Sequence, residues 1–158
     1  VAWSTGSVLP IWKSMHDKNG VIGTTGPEMR RFLFTVKEAV NLVITAIDNI
    51  DQLQGKVLSR KMKAAKIKDI LELWISHKGG SWKKIEGRPG ERNYEFLIGD
   101  LELKHTYEVN YGGITHYVIS FNEKVSKPVA IGLSSENTDR LTDKEILDII
   151  SNPPKEEL

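Results

Sequence analysis

The chain has 158 residues, 39% hydrophobic and 27% charged, which suits one globular domain and excludes a disordered or fibrous protein. Its 22 basic and 21 acidic residues leave a net charge of +1, which gives no support to a nucleic-acid partner or an anionic membrane surface. The absence of cysteine excludes disulfides and thiol chemistry and fits a reducing, cytoplasmic compartment, and no apolar run reaches the roughly 18–20 residues of a membrane span.

The first fifty residues alternate helical and extended patterns. Apolar residues at helical spacing predict a helix over residues 7–18, ended by Asn19 and Gly20. A short strand follows at residues 21–22, and a second is predicted at residues 32–34. A long helix over residues 35–49 carries an apolar stripe along one side.

The next fifty residues continue this alternation. Strands are predicted at residues 56–59 and 82–85, on either side of an amphipathic helix over residues 66–77. A short helix is predicted at residues 93–98. The pattern indicates an α/β fold with several short strands and helices.

The pattern changes after Ile98. Residues 101–121 have the alternation and central glycines of a β-hairpin, and residues 142–151 predict a closing helix with a capping box between Thr142 and Glu145. We therefore expect two parts, residues 1–100 and a hairpin-and-helix extension over residues 101–158. The four histidines are scattered and indicate no metal site.

Two turns that carry arginine are the most informative motifs. Residues 87–92 read Gly-Arg-Pro-Gly-Glu-Arg, and residues 27–32 read Pro-Glu-Met-Arg-Arg-Phe. Each places arginine beside a residue that restricts the backbone, and guanidinium is a planar, permanently charged donor for oxyanions. Two such groups suggest a diphosphate ligand, although either alone is equally typical of a surface turn.

Four motifs in this order resemble the C-terminal half of the UDP-N-acetylglucosamine 4,6-dehydratases. These are extended short-chain dehydrogenase/reductase (SDR) enzymes, with a Rossmann-type fold, that act in surface-polysaccharide and flagellin-glycan synthesis. The resemblance runs from Val1 to about Ile98. The four motifs occupy residues 6–13, 27–32, 61–67 and 88–92.

The resemblance implies roles for the residues of the arginine turns. In that family the arginine before the aromatic residue of Met-x-Arg-Phe and the arginine of Arg-Pro-Gly-Glu approach the UDP diphosphate, which indicates Arg31 and Arg88. Arg30 stands where the family usually has Thr and competes with Arg31 for this role. Glu91 matches a glutamate that accepts hydrogen bonds from the ribose. A simpler interpretation of Glu91 is an acid at a helix N-terminus, favoured by the helix dipole.

Two further segments match the family's contacts to the uracil ring, and they nominate Val8, Ile22 and Thr24. For Val8 and Ile22 an ordinary place in the core is compatible with that role. Lys61 is expected to face the sugar nucleotide. It lies in a basic stretch that, in the simpler interpretation, is a solvated edge of the fold.

The chain also departs from the family pattern near the arginine turns. Arg60 and Lys63 replace prolines, and Arg92 and Tyr94 stand where the family has Lys and His.

The resemblance also says what this chain lacks. Family members begin with a Rossmann half that binds NADP through a glycine-rich fingerprint and carries the catalytic residues. Neither that fingerprint nor a Tyr-x-x-x-Lys motif occurs here. The resemblance therefore implies that Val1 lies inside a longer gene, that NADP is bound by the missing half, and that this chain alone has no catalytic residue. We expect the isolated chain to expose an apolar face.

The sequence thus predicts the C-terminal, nucleotide-sugar-binding portion of a dehydratase that removes water from a UDP-N-acetylhexosamine. The parent enzyme is expected to be cytoplasmic and homo-oligomeric. Two alternatives stay open. One is a UDP-sugar 4-epimerase of the same superfamily, and the other is a non-catalytic UDP-sugar or protein-interaction module that uses residues 101–121 as its contact surface.

Overall fold

The computed structural model describes residues 1–153, which form a mixed α/β fold of helices and short strands. A single 3₁₀ turn at Leu103–His105 precedes the hairpin. The helices are α1 (Val8–Asn19), α2 (Val36–Asp48), α3 (Ile50–Leu53), α4 (Ile67–Lys78) and α5 (Asp143–Ser151). The strands are β1 (Val21–Thr24), β2 (Arg30–Phe32), β3 (Val57–Arg60), β4 (Ala64–Lys66), β5 (Ser81–Lys84), β6 (Phe96–Ile98), β7 (Thr106–Tyr111), β8 (Ile114–Ile119) and β9 (Leu133–Ser134).

The strands of the described residues form four small sheets. β1 pairs in parallel with β5, β2 pairs antiparallel with β4, and β6 pairs antiparallel with β9. The fourth sheet has the order β3-β8-β7, and its β7–β8 hairpin turns at Gly112 and Gly113, both with positive φ. The hairpin is therefore confirmed. Strands from before and after residue 100 share two of the sheets.

The main core lies between α1, α4 and α5. Trp12 and Trp74 are buried and meet edge to face, with ring centroids 6.4 Å apart. Around them lie the predicted core face of α4, confirmed as buried, and two isoleucines of α5. Aromatic pairs of this kind add about 0.5–1.5 kcal/mol to the free energy gained by burial.

Two helices begin with the local signals that the sequence carries. The Thr35 and Thr142 side chains accept hydrogen bonds from the backbone N–H of Glu38 and Glu145, and both capping boxes are complete. Helix α1 ends at Gly20, whose φ of 70° is readily adopted by glycine. The predicted capping box at Thr142 is therefore confirmed, and the predicted bounds of α1, α2 and α5 are correct to within a residue.

Two predictions about short segments are wrong. Residues 93–98 do not form a helix, because β6 pairs with β9 and the Glu95 N–H donates to Ser135 Oγ at 2.9 Å. The strand predicted at residues 32–34 lies two residues earlier, since β2 is aligned by its pairing with β4, which places Arg30 opposite Lys66. Segments this short carry too little periodicity to specify a partner.

The apolar stripe of α2 faces solvent. Its large side chains are 48–63% exposed, and no residue of this helix is fully buried. The expected exposed apolar face is therefore present. The α2 stripe consists of Val36, Val40, Val43, Ile44 and Ile47.

Helix α5 is attached to the loop between β3 and β4 by an ion pair. Lys63 Nζ lies 2.6 Å from Glu145 Oε1, and Glu145 Oε2 accepts the Thr142 N–H of the capping box. These two hydrogen bonds hold the pKa of Glu145 at about 2, below its ordinary value of 4.5. The carboxylate form is therefore favoured in the folded chain.

We expect Glu145 to make the fold acid-sensitive. Because its pKa is lower in the folded than in the unfolded chain, its contribution to the free energy of unfolding is complete above about pH 4.5 and is lost as the pH falls toward 2. The partly exposed pair should contribute about 0.5 kcal/mol. Urea unfolding between pH 6 and pH 2.5 should show a smaller pH dependence for Glu145→Gln, which can retain the capping box, than for the wild type. Glu86→Gln, at an exposed acid without an ion pair in residues 1–153, should match the wild type, and equal slopes for all three proteins would contradict the prediction.

Candidate functional site

Two neighbouring cavities bring the sequence motifs together. The inner cavity, about 270 Å³, is lined by residues from the N-terminus of α1, the end of β1, β2 and the loop at residues 87–95. The arginine cavity, about 740 Å³, lies between β2, the end of β3 and the same loop. Both are lined by Val1, Arg31, Phe32 and Glu95, so they adjoin one another.

Four of the predicted site residues line the inner cavity: Val8, Thr24, Arg31 and Glu91. The packing of α1 on β1 explains part of this arrangement, because Leu9 and the fully buried Ile22 share the main core. Ile22 lies in that core and does not line the inner cavity.

Ser7 is a site residue that the sequence indicated only as part of a segment. Its Oγ is buried and has no hydrogen-bond partner within residues 1–153. Although Ser7 occupies the N-cap position of α1, its side chain does not cap the helix, and the residue lines the inner cavity. A buried hydroxyl without a partner costs about 1–3 kcal/mol, so a ligand that supplied one would be favoured here. The missing hydrogen bond is a property of the folded chain and is not visible in the sequence.

Arg31 holds the loop at residues 87–95 in place. Its Nη atoms donate to the backbone carbonyl oxygens of Arg30, Arg92 and Asn93 at 2.9, 2.7 and 3.3 Å. Its Nε lies 3.8 Å from Glu95 Oε1. Nη2 also donates to Met29 Sδ at 3.0 Å. The guanidinium therefore has its donors directed at the protein, and contact with a diphosphate would compete with one of these partners.

Glu91 links the same loop to β1. Its Oε1 accepts a hydrogen bond from the Thr25 hydroxyl at 2.8 Å. The alternative interpretation of Glu91 as an acid at a helix N-terminus is wrong, because the residues that follow it form a turn and then β6. Its second carboxylate oxygen has no hydrogen bond to another described residue.

Three other predicted residues lie outside these two cavities. Arg88 is exposed at the tip of the loop, and its guanidinium has no hydrogen bond or ion pair within residues 1–153. Arg30 Nη1 donates to the carbonyl oxygen of Glu136 at 3.1 Å.

Lys61 lines a third cavity, of about 310 Å³, between the β3–β4 loop, the hairpin and α5. Its Nζ lies 2.8 Å from Asp139 Oδ2, and this hydrogen bond raises the pKa of Lys61 and lowers that of Asp139. Lys61 therefore has a carboxylate partner within the fold.

The described residues form neither a metal-binding cluster nor a dinucleotide-binding motif. Residues 1–153 contain no group of three or more His, Cys, Asp or Glu side chains that could hold a metal ion. In the same range no strand leads through a glycine-rich turn into a helix, since α4 begins directly after β4 at Ile67. These residues therefore do not fit the diphosphate of NADP.

Comparison with known proteins now gives the family. A family model described as "Polysaccharide biosynthesis protein" matches residues 1–116. The chain belongs to this family.

Its relatives include named enzymes. The capsular polysaccharide biosynthesis protein CapD of Staphylococcus aureus is 35% identical over 127 residues, which cover 75% of this chain and 21% of CapD. A UDP-glucose 4-epimerase of Rickettsia bellii is 28% identical over 159 residues, which cover 94% of this chain and 46% of the epimerase. An uncharacterized membrane protein of Methanocaldococcus jannaschii is 34% identical over 115 residues, 67% of this chain and 34% of that protein. The chain thus spans less than half the length of these relatives.

A solved structure supports the fold. The structure of Pen from Bacillus thuringiensis matches with a TM-score of 0.79 and 25% identity, over 98% of this chain and 47% of Pen. The chain therefore has an α/β fold that fits the C-terminal portion of an extended SDR enzyme. Its family acts in glycan biosynthesis. No helix in residues 1–153 has the length and hydropathy needed to cross a bilayer.

We predict that Arg31→Lys loosens the loop at residues 87–95. Lysine cannot reproduce the bonds to three carbonyl oxygens, and a loss of about 1.4 kcal/mol would raise local amide exchange roughly tenfold. Hydrogen exchange with mass spectrometry measures this rate. The same substitution one residue earlier, Arg30→Lys, is the control, because Arg30 contacts Glu136 instead. Unchanged exchange over residues 87–95 in Arg31→Lys would show that Arg31 does not hold the loop.

Proposed function

We propose that the inner cavity binds the uridine end of a UDP-sugar. The observation that carries this proposal is the convergence of Val8, Thr24, Arg31 and Glu91 on one cavity. Ser7, whose buried hydroxyl has no partner in residues 1–153, lines the same cavity. These residues come from three separate motifs and, for Thr24, from a further segment of the chain. A base needs both apolar walls and a few hydrogen-bonding groups, and this cavity offers both.

Each part of the nucleotide has a chemical counterpart in this arrangement. Val8 offers an apolar surface to the uracil ring, and Ser7 Oγ offers a hydrogen-bond partner to its polar edge. The Glu91 carboxylate, fixed by Thr25, accepts hydrogen bonds from the ribose hydroxyls. The diphosphate then lies near Arg31, where the inner cavity meets the arginine cavity.

Not all predicted ligand residues receive equal support from this geometry. Arg88 remains a candidate for the diphosphate because its guanidinium is exposed and has no partner among the described residues. Arg31 has partners within the fold but lines both cavities. Arg30 and Lys61 have partners in Glu136 and Asp139 and line neither of the two cavities. We therefore keep Arg31 and Arg88 as the proposed diphosphate contacts and do not assign that role to Arg30 or Lys61.

We further propose that a Rossmann half completes the parent enzyme. Two features of the described residues support this: the exposed α2 stripe, and β3, which pairs only with β8 and so leaves one edge open. In this proposal NADP and the catalytic residues belong to that half. The homo-oligomeric state and the cytoplasmic location remain predictions from the sequence.

For the parent reaction we propose elimination of water from a UDP-N-acetylhexosamine, giving a 4-keto-6-deoxy sugar nucleotide. A UDP-sugar 4-epimerase is the second candidate, and the Rickettsia epimerase, which aligns with 94% of this chain, favours it. Both reactions require the same hold on UDP, so the residues described here support both equally.

The proposed uridine site predicts a selective effect of Glu91. Glu91→Ala should weaken UDP about tenfold, because a hydrogen bond to a charged group contributes about 1.5–3 kcal/mol. The loss should be smaller for 2′-deoxy-UDP, which has one ribose hydroxyl fewer. Isothermal titration calorimetry on the 158-residue chain gives both affinities, and Glu86→Ala is the control because Glu86 is exposed and lines neither cavity. If the wild-type chain binds no UDP, or if Glu91→Ala weakens both nucleotides equally, the ribose role of Glu91 is wrong.

The proposed parent enzyme predicts what precedes Val1 in the source DNA. About 170 codons upstream should contain an open frame with a glycine-rich fingerprint and a Tyr-x-x-x-Lys motif or a substituted equivalent, as an extended SDR enzyme requires. The residue at the Tyr position would help to separate dehydratase from epimerase. A stop codon followed by a start codon at Val1 would contradict the enzyme proposal and leave a binding module.

A further inference from the structure

The arginine cavity has an excess of positive charge. Among the described residues, three arginines, Arg31, Arg60 and Arg92, line it with one carboxylate, that of Glu95. The third cavity, around Lys61, is balanced among the described residues, because Lys61 and Lys63 pair with Asp139 and Glu145. Arg60 lines both cavities and pairs with Glu38, which lines only the third. Guanidiniums gathered in a concave site with few carboxylates are typical of oxyanion binding.

Arg31 does not account for this excess. Its Nη atoms donate to backbone carbonyl oxygens, and its Nε lies nearest to Glu95 at 3.8 Å. Arg31 and Glu95 therefore offset one another. Besides Arg31, the cavity offers Arg92, whose guanidinium has no partner in residues 1–153, and Arg60, which pairs with Glu38 through Nη2 but keeps an unsatisfied Nε.

Arg60 has a buried donor without an acceptor. Its side chain is 17% exposed, and Nη2 lies 3.0 Å from Glu38 Oε1. Its Nε is buried and has no hydrogen-bond partner in residues 1–153. An unsatisfied buried N–H is costly, so an added acceptor would be favourable at this position.

Arg92 has a fixed backbone and a free side chain. Its carbonyl oxygen accepts the bond from Arg31 Nη2 at 2.7 Å, whereas its guanidinium has no hydrogen bond or ion pair within the described residues. The Tyr94 ring lines the same cavity. The loop therefore presents a guanidinium from a backbone that is already held in place.

We propose that the arginine cavity is an oxyanion subsite in which Arg60 and Arg92 bind a phosphate or carboxylate group of the sugar nucleotide. This inference rests on the proposed function, because the ligand reaches the subsite from the inner cavity past Arg31. A guanidinium can bind either oxyanion with two parallel hydrogen bonds. The group is either the diphosphate itself or an acidic substituent on the sugar.

Calorimetric titration of the 158-residue chain with four ligands tests the subsite and separates the two sources. The ligands are uridine, UDP, UDP-glucose and UDP-glucuronate. Arg92→Gln should weaken at least one anionic ligand fivefold or more and leave uridine unchanged, and Arg60→Lys should act in the same direction because lysine keeps the charge but lacks Nε. Equal losses for UDP and UDP-glucose assign the subsite to phosphate, and a loss confined to UDP-glucuronate assigns it to a sugar carboxylate.

Arg140→Gln is the matched control. Arg140 is exposed and lines none of the three cavities, so this variant removes the same charge elsewhere and should bind like the wild type. Wild-type affinities for all ligands in both Arg92→Gln and Arg60→Lys would overturn the subsite. Because the Arg92 side chain has no partner in residues 1–153, Arg92→Gln should fold normally.

A second measurement distinguishes failure of the subsite from failure of the uridine site. Inorganic pyrophosphate is titrated into the chain while the arginine Nε–H signals are followed by NMR. Shifts of the Arg60 and Arg92 signals support the subsite even if uridine does not bind. If uridine binds but neither signal moves and the variants behave as the wild type, the subsite is wrong and the uridine site stands.

Discussion

The packing of α1 against α4 through Trp12 and Trp74 is the contact on which the other parts of the site depend. It brings the N-terminus of α1 beside β1, so that Ser7, Val8 and Thr24 border one cavity. Burial of the two tryptophans is non-directional in its driving force, whereas the contact between their rings has a preferred, edge-to-face geometry. The site is therefore a consequence of the core: its polar groups lie on the rim of an apolar contact.

The sequence could predict the parts of the fold that depend on local signals. The capping box at Thr142 and the amphipathic pattern of α4 follow from spacing alone. The two- and three-residue strands could not be placed in this way. The position of β9, for example, is defined by its pairing with β6, about 37 residues earlier in the chain. Helical periodicity likewise identified the α2 stripe and could not say whether it faces the core or solvent.

The same distinction applies to the candidate site. Motif order indicated Val8, Thr24, Arg31 and Glu91, and the fold brings them to one cavity. Motif order could not show that the Arg31 donors reach backbone carbonyls, nor that Lys61 has Asp139 as a partner. Both facts depend on where loops distant in sequence come to lie, which no spacing rule contains. Arg60 and Arg92, visible in the sequence only as departures from a family pattern, gain their meaning from the cavity they share.

Glu38 contacts both the N-cap of α2 and Arg60 of the arginine cavity. One of its carboxylate oxygens completes the cap of α2, and the other pairs with Arg60 at 3.0 Å. An anion that draws Arg60 toward the arginine cavity would weaken that ion pair and so change how firmly the first turn of α2 is held. Since such free-energy coupling is reciprocal, a protein surface that covers the α2 stripe would in turn alter the affinity for the anion. Through this one carboxylate, ligand binding at the proposed subsite would be thermodynamically linked to the exposed helix.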